Sequence, residues 1–186
     1  MNYPSLREFI GRLEREGELL RIKKSVSPIL EIAEITDRVS KKPGGGKALL
    51  FENVEDSSMP VLINAFGSTK LMNMALGVHN IEEISKRIER YLKIQPRTTL
   101  LDKAKLLPML LQAAQFPPTL VGGTKAPCQE VVHLNSNVNL DQIPILQCWP
   151  QDAGRFITLP IVIYRSADHK VKNVGLYRMQ IYDSKT

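Results

Sequence analysis

The chain has 186 residues, of which 43% are hydrophobic and 24% charged, with a formal net charge of +6; these values suit an ordinary globular protein of one or two domains. No run approaches the roughly 18 apolar residues of a membrane span, and residues 1–7 lack the basic-then-apolar order of a signal peptide, so a soluble, cytoplasmic protein with no transmembrane segment is expected. The two cysteines, Cys128 and Cys148, are too few for a disulfide framework or a cysteine-rich metal site and read as reduced, partly buried thiols.

Ser5 and Glu8 form a capping box, in which the hydroxyl and the carboxylate each take a backbone N–H left unpaired at a helix start. Leu6, Phe9, Ile10 and Leu13 then repeat at helical spacing until Gly17. A strand is expected over residues 19–24. Pro28 suits a first helical turn, so a second helix is expected from Ser27, with Ile29, Ile32, Ile35 and Val39 as its buried stripe. Residues 41–47 (KKPGGGK) read as a flexible connector, because they lack the spacing and the Lys-Ser/Thr ending of a phosphate-binding loop.

Two strands are expected over residues 48–53 and 61–65, joined by a polar turn ending at Met59-Pro60. A helix over residues 70–76 follows Ser68 or Thr69. Asn80 and Glu83 repeat the capping logic ahead of a helix carrying Ile81, Ile84, Ile88 and Leu92. Another helix is expected over residues 100–115, kinked or divided by Pro108.

At Phe116-Pro117-Pro118-Thr119 helical periods give way to short β-rich runs, which places a domain boundary there: residues 1–116 and residues 117–186. Strands are expected over residues 127–134, 145–149, 156–165 and 171–183, the last two forming a hairpin across residues 166–169. There are no internal repeats. The fold class is therefore α+β: a mixed α/β domain, then the beginning of an antiparallel sheet or barrel. So few strands would leave open edges, so the barrel is expected to continue beyond Thr186.

The positive charge is spread over both parts, with 18 Lys/Arg against 14 Asp/Glu up to Phe116 and 7 against 5 after it. Neither an RNA-binding aromatic motif nor zinc-finger spacing accompanies it, so a solvated surface is expected and no nucleic-acid partner. His79, His133 and His169 are too far apart for a helical metal site and read as surface or turn residues. The run Asn173-Val174-Gly175-Leu176-Tyr177-Arg178 is different. As one strand it puts Asn173, Gly175 and Tyr177 on one face and Val174, Leu176 and Arg178 on the other. Its glycine costs strand stability, which suggests close approach by a ligand or another backbone.

Residues 173–180 (NVGLYRMQ) resemble the signature strand of the UbiD decarboxylase family. Further landmarks follow family order: Leu6-Arg7-Glu8-Phe9 with Gly17-Glu18-Leu19, residues 48–53 (ALLFEN), Met59-Pro60-Val61, Phe66-Gly67, Ala126-Pro127-Cys128, and Ile143-Pro144 with Cys148-Trp149-Pro150. The resemblance covers essentially the whole chain.

It implies an amino-terminal α/β domain followed by the first strands of a flavin-binding split β-barrel. It implies a decarboxylase that uses prenylated FMN, a divalent metal, Mn2+, and K+ in the complete enzyme. Asn173 corresponds to a metal-holding asparagine, whose neutral amide oxygen suits a hard cation. Gly175, Leu176 and Tyr177 fall on the segment that lines the cofactor, with Arg178 beside it and Thr158 as a further cofactor contact. Arg178 corresponds to the active-site arginine, which pairs with a glutamate and positions the substrate carboxylate through its planar fork. The remaining metal ligands, a histidine and a glutamate, and the catalytic glutamates are expected beyond Thr186.

The implied substrate is an aromatic or α,β-unsaturated acid, with (polyprenyl-)4-hydroxybenzoate of ubiquinone or menaquinone biosynthesis leading. Implied partners are a flavin prenyltransferase that supplies the cofactor and, in the complete enzyme, further copies of the chain as a homo-oligomer. The 186 residues alone are expected to be inactive. The rival reading is a free-standing, non-catalytic binding or assembly module that retains the fold.

Overall fold

Helix α1 (Leu6–Arg15) starts where the sequence places it, with the Ser5 hydroxyl accepting from the Glu8 N–H at 3.3 Å. Phe9 and Leu13 form its buried face, and Gly17, at φ 69°, ends it. Strands β1 (Leu19–Ile22), β2 (Ala48–Phe51) and β3 (Val61–Ile63) form a mixed sheet in that order, β1 parallel to β2 and β2 antiparallel to β3. All four residues of β2 are buried, which is why it reads as the unbroken apolar run of a strand covered on both faces.

Leu49 and Phe51 belong to one core cluster with Val26, Ile32 and Val54, flanked by Ile35 and Val39 of α2 (Glu31–Ser40). Ala48 belongs to the other, with Phe9, Leu13 and Leu71, the last from α3 (Thr69–Leu76). Complete burial of a side chain the size of Phe51 stabilises by about 1.5–3 kcal/mol. Helix α3 is capped by Ser68, which accepts from the Leu71 N–H, and ends at Gly77 in the left-handed conformation.

This computed structural model describes residues 3–92 and 126–186, together with Leu111, Val121 and Gly122. Met1–Ile81 and Val138–Thr186 make one compact unit, and Glu82–Asn137 make a second. In the second, α4 (Glu82–Leu92) begins two residues after Asn80, and Ile88 and Leu92 are exposed. The helix expected over residues 100–115, apart from helical Leu111, and the boundary expected at residues 116–119 lie outside the described residues.

Three differences from expectation have physical causes. Helix α2 begins at Glu31 rather than at Ser27, after Leu30 with φ 66°. Residues 28–30 pair instead with Gln147: the Leu30 N–H donates to the Gln147 carbonyl at 2.9 Å, and the Gln147 N–H to that of Pro28 at 3.2 Å. A contact over more than a hundred residues thus outcompetes the local helix signal, and it uses the one ladder pair that the strand expected over residues 145–149 acquires among the described residues.

The glycine connector is tied down. Gly45 lies so close to the Gly67 backbone that a Cβ would fall 2.7 Å from its carbonyl carbon, and the Asn64 amide donates to the carbonyls of Gly45 and Lys47 at 2.9 and 3.0 Å. Finally, residues 127–134 form no strand. Short 3-10 turns at Pro127–Gln129 and Asn135–Asn137 take their place, with Val131, Val132 and Leu134 exposed. Pro127 has no N–H to give a ladder, and no strand among the described residues pairs with this stretch.

Candidate functional site

Strands β4 (Arg155–Ile157), β5 (Ile161–Arg165), β6 (Lys172–Leu176) and β7 (Met179–Ile181) replace the two long strands expected. They remain one antiparallel ribbon in two sections, β5 against β6 and β4 against β7. The hairpin turn falls at residues 166–171, where the Val171 N–H donates to the Ser166 hydroxyl at 3.0 Å and His169 has φ 59°.

Between the sections, residues 158–160 oppose only Tyr177 and Arg178. Ile161 pairs with Leu176 on one side of the gap and Ile157 with Met179 on the other. This is a β-bulge, with Leu159 at φ 60° and with Pro160, which cannot donate to a ladder. The bulge ends the alternation at Leu176, so Arg178 does not share a six-residue strand with Asn173. Continuing the β4–β7 register sets Thr158 opposite Arg178.

Arg178 belongs to a different hydrogen-bond system from Asn173. Its Nη1 and Nη2 donate to Oδ1 and Oδ2 of Asp152 at 3.2 and 2.9 Å, and its Cζ lies 3.9 Å from the Phe156 ring centroid. Asp152 closes a turn with Trp149, whose N–H donates to Oδ2 at 3.3 Å. The Arg178 hydrogen bonds hold the Asp152 carboxyl below its usual range, and Asp152 in turn raises Arg178. A carboxylate depressed in the folded state adds stability that is present above its unfolded value and lost as pH falls through the folded one. The pair is therefore fully formed at neutral pH. Burial first, and then Asp152, pushes the half-buried Cys148 thiol up, which disfavours its thiolate form. Cys128, by contrast with the expectation, is exposed.

Asp152 is the site residue that motif reading misses. Its signal is its place two residues beyond the Cys148-Trp149-Pro150 landmark.

On the β5–β6 section, Asn173 faces Tyr164 across the ladder, and its Nδ2 donates to the Tyr164 hydroxyl at 2.5 Å. Its Oδ1 accepts from the Val174 N–H at 2.9 Å. The Tyr164 and Tyr177 hydroxyls lie 3.5 Å apart, with the rings edge to face. This hydrogen bond lowers the Tyr164 phenol and raises that of Tyr177. Tyr177→Phe should therefore move Tyr164 ionisation upward toward ordinary phenol values in a 295 nm titration; an unchanged titration would show that the pair is absent in solution.

Gly175 has its own explanation, since a Cβ there would lie 2.9 Å from Cζ of Tyr177. The chain's own tyrosine ring makes a close approach here. The opposite face of the section is apolar and open: Ile161, Ile163, Val174 and Leu176 are 71, 62, 57 and 60% exposed.

Asn173 is the candidate metal donor on this ribbon. Asn173 is an exposed residue whose amide oxygen accepts one hydrogen bond and keeps a second lone pair, whereas a hard divalent cation takes about six oxygen ligands. Among the described residues no group of three or more His, Cys, Asp or Glu could hold a metal. His79, His133 and His169 are all exposed, as expected of surface or turn residues.

Residues 10–91 match the family pattern of the 3-octaprenyl-4-hydroxybenzoate carboxy-lyase N-terminal domain, and residues 119–186 that of the Rift-related domain of the same carboxy-lyase. An uncharacterized protein of Archaeoglobus fulgidus is 49% identical over 186 residues, all of this chain and 37% of that protein. An evolved dimeric form of the UbiD-class enzyme HmfF from Pelotomaculum thermopropionicum, in complex with prFMN, superposes with a TM-score of 0.69 at 30% identity, over 98% of this chain and 37% of that one. The open form of vanillic acid decarboxylase from Sedimentibacter hydroxybenzoicus gives 0.75 at 27%, over 98% and 35%. The chain thus spans little more than a third of the length of these proteins. Two domain patterns of one family, matched in succession and joined by these fold similarities, establish that the chain belongs to the UbiD family.

Proposed function

We propose that this chain is the amino-terminal portion of a prenylated-FMN-dependent decarboxylase of aromatic or α,β-unsaturated carboxylic acids, with (polyprenyl-)4-hydroxybenzoate of quinone biosynthesis as substrate. Residues 1–116 are its first domain, and residues 117–186 begin its flavin-binding split barrel. The observation that carries the reading is the setting of Arg178, a guanidinium fixed against Asp152 and Phe156 beside a bulge. Bulges re-aim side chains next to active sites. The similarity to enzymes described with prFMN and FMN supports the cofactor.

Bound prenylated FMN supplies the electron sink that loss of CO2 requires. This chain's residues supply placement. Arg178 grips the substrate carboxylate through paired N–H donors. Asn173 gives one oxygen to Mn2+, with the other ligands and K+ contacts coming from beyond these 186 residues. Thr158, Gly175, Leu176 and Tyr177 line the flavin. A flavin prenyltransferase provides the cofactor, and the complete protein is a cytoplasmic homo-oligomer; the neighbour described as dimeric supports assembly. Among the described residues no helix is long and apolar enough to cross a membrane.

The test is to load the holoenzyme that contains this chain with prenylated FMN and Mn2+ and to follow CO2 release from 4-hydroxybenzoates, polyprenylated and plain. Release is expected from the hydroxybenzoate class. A fully loaded enzyme that leaves every aromatic and unsaturated acid intact would overturn the reading.

A further inference from the structure

We infer that Asp152 is a positioning residue, which holds the Arg178 guanidinium end-on so that the side edge formed by Nε and Nη2 faces an incoming substrate carboxylate. The inference rests on the reading of Arg178 as the carboxylate-binding group.

A guanidinium carries five N–H donors in a rigid plane. Asp152 uses one hydrogen on each of Nη1 and Nη2. The Nε–H and the second hydrogen on Nη2 then point the same way along one side of the plane, a second fork of the right width for a carboxylate. Among the described residues Arg178 donates to Asp152 and lies against the Phe156 ring, and neither contact uses that edge. One guanidinium therefore has room for two carboxylates at once, Asp152 at its end and a substrate at its side, and its remaining Nη1 hydrogen is left for the glutamate that the family resemblance pairs with this arginine.

The orientation is set twice over. The Cζ lies over the Phe156 ring at 3.9 Å, which backs the group on that side, and Asp152 fixes its rotation through paired hydrogen bonds. Asp152 is itself immobilised. Its side chain is only 13% exposed, its N–H donates to the Trp149 carbonyl at 3.0 Å, and its carbonyl accepts from the Gln147 amide at 3.4 Å. Gln180, two residues beyond Arg178, donates to the next carbonyl, that of Ala153, at 3.0 Å. The turn bearing Asp152 is thus pinned to the same strand that follows Arg178. A surface ion pair adopted by chance has no such support, and exposed pairs are weak. Here the aspartate sits nearly covered while the arginine keeps an open edge. That asymmetry suits an anchor holding a working group.

A carboxylate that occupied the substrate's own place would act differently from an anchor. Removing a competitor improves substrate capture, whereas removing an anchor degrades it. Asp152→Asn separates the two, because the amide keeps the size but offers one acceptor oxygen in place of two.

The first readout needs no cofactor. In the 186-residue chain labelled at arginine side chains, the Arg178 Nη nitrogens are expected to give separate NMR signals, because the end-on pair slows rotation about Cζ. Asp152→Asn should average them. Identical spectra in the two proteins would overturn the inference.

The second readout is steady-state kinetics of the holoenzyme. Asp152→Asn is expected to lower kcat by about 10- to 100-fold, as slight misplacement of a reacting group does, and to raise KM for the acid, with bound flavin unchanged. Asp152→Glu, which restores the charge at a shifted position, should recover part of the loss, and it carries the test if Asp152→Asn loses the β4–β7 amide signals. Unchanged kinetics, or a higher kcat/KM in Asp152→Asn, would overturn it. Arg178→Lys is measured alongside. Near-normal turnover there removes the reading of Arg178 itself, and the inference with it. Normal turnover in Asp152→Asn beside an impaired Arg178→Lys removes the positioning role alone.

Discussion

Arg178→Lys in the holoenzyme is expected to lose about 100-fold in turnover while keeping its flavin and its fold. Lysine preserves the charge but is a single point donor. It can neither grip a carboxylate with two parallel bonds nor hold the end-on pair with Asp152, and it loses the guanidinium contact with the Phe156 ring at 3.9 Å. The stability change should be small, because the Arg178 side chain is 41% exposed and lysine keeps a cation beside the Asp152 carboxylate.

Asn173→Ala should do the opposite. Asn173 belongs to the tyrosine cluster on the other side of the bulge, bonded to Tyr164 and not to Asp152. Its loss removes the oxygen proposed to hold the metal, so bound metal and flavin should fall first and turnover only in proportion. Bound flavin by absorbance, metal by elemental analysis and turnover under saturating acid read all three quantities. If Arg178→Lys sheds flavin as readily as Asn173→Ala, the division of labour between the two sections of the ribbon is wrong.

That division was only partly legible in the sequence, and the reason is the range of the interactions. Local signals sufficed for several helix ends and for the central strand: Ser5 and Ser68 cap α1 and α3, Gly17 ends α1, and the run at residues 48–51 is apolar because both faces are covered. Distant contacts decided what was misjudged. Helix α2 starts late because residues 28–30 pair with Gln147. The bulge at Leu159 could have been suspected from Pro160, since proline in a strand interior marks an edge or a bulge. Reading residues 173–178 as one strand concealed it, and with it the separation of Arg178 from Asn173. Asp152 escaped because its partner lies 26 residues away and nothing in the periodicity links a turn aspartate to a strand arginine.

The 186-residue chain alone is expected to show no decarboxylation of any aromatic acid and to retain neither prenylated FMN nor Mn2+ through gel filtration. Among its described residues Asn173 is the single ligand of the implied metal set, and no acidic or histidine cluster stands near to complete the six or so oxygens a hard cation takes. Flavin needs enclosure as well as contact. The β5–β6 section instead turns Ile161, Ile163, Val174 and Leu176 to solvent, and the outer edges of both ribbon sections have no strand against them among the described residues. A cofactor laid on such a surface keeps most of its own area in water, and the burial that retains small ligands in pockets is missing. The measurement is absorbance of the protein peak after incubation with excess cofactor and metal, followed by an assay of CO2 release. Stoichiometric flavin in that peak, or turnover of any acid by the chain alone, would show that these 186 residues already close a site that their open ribbon gives no sign of closing.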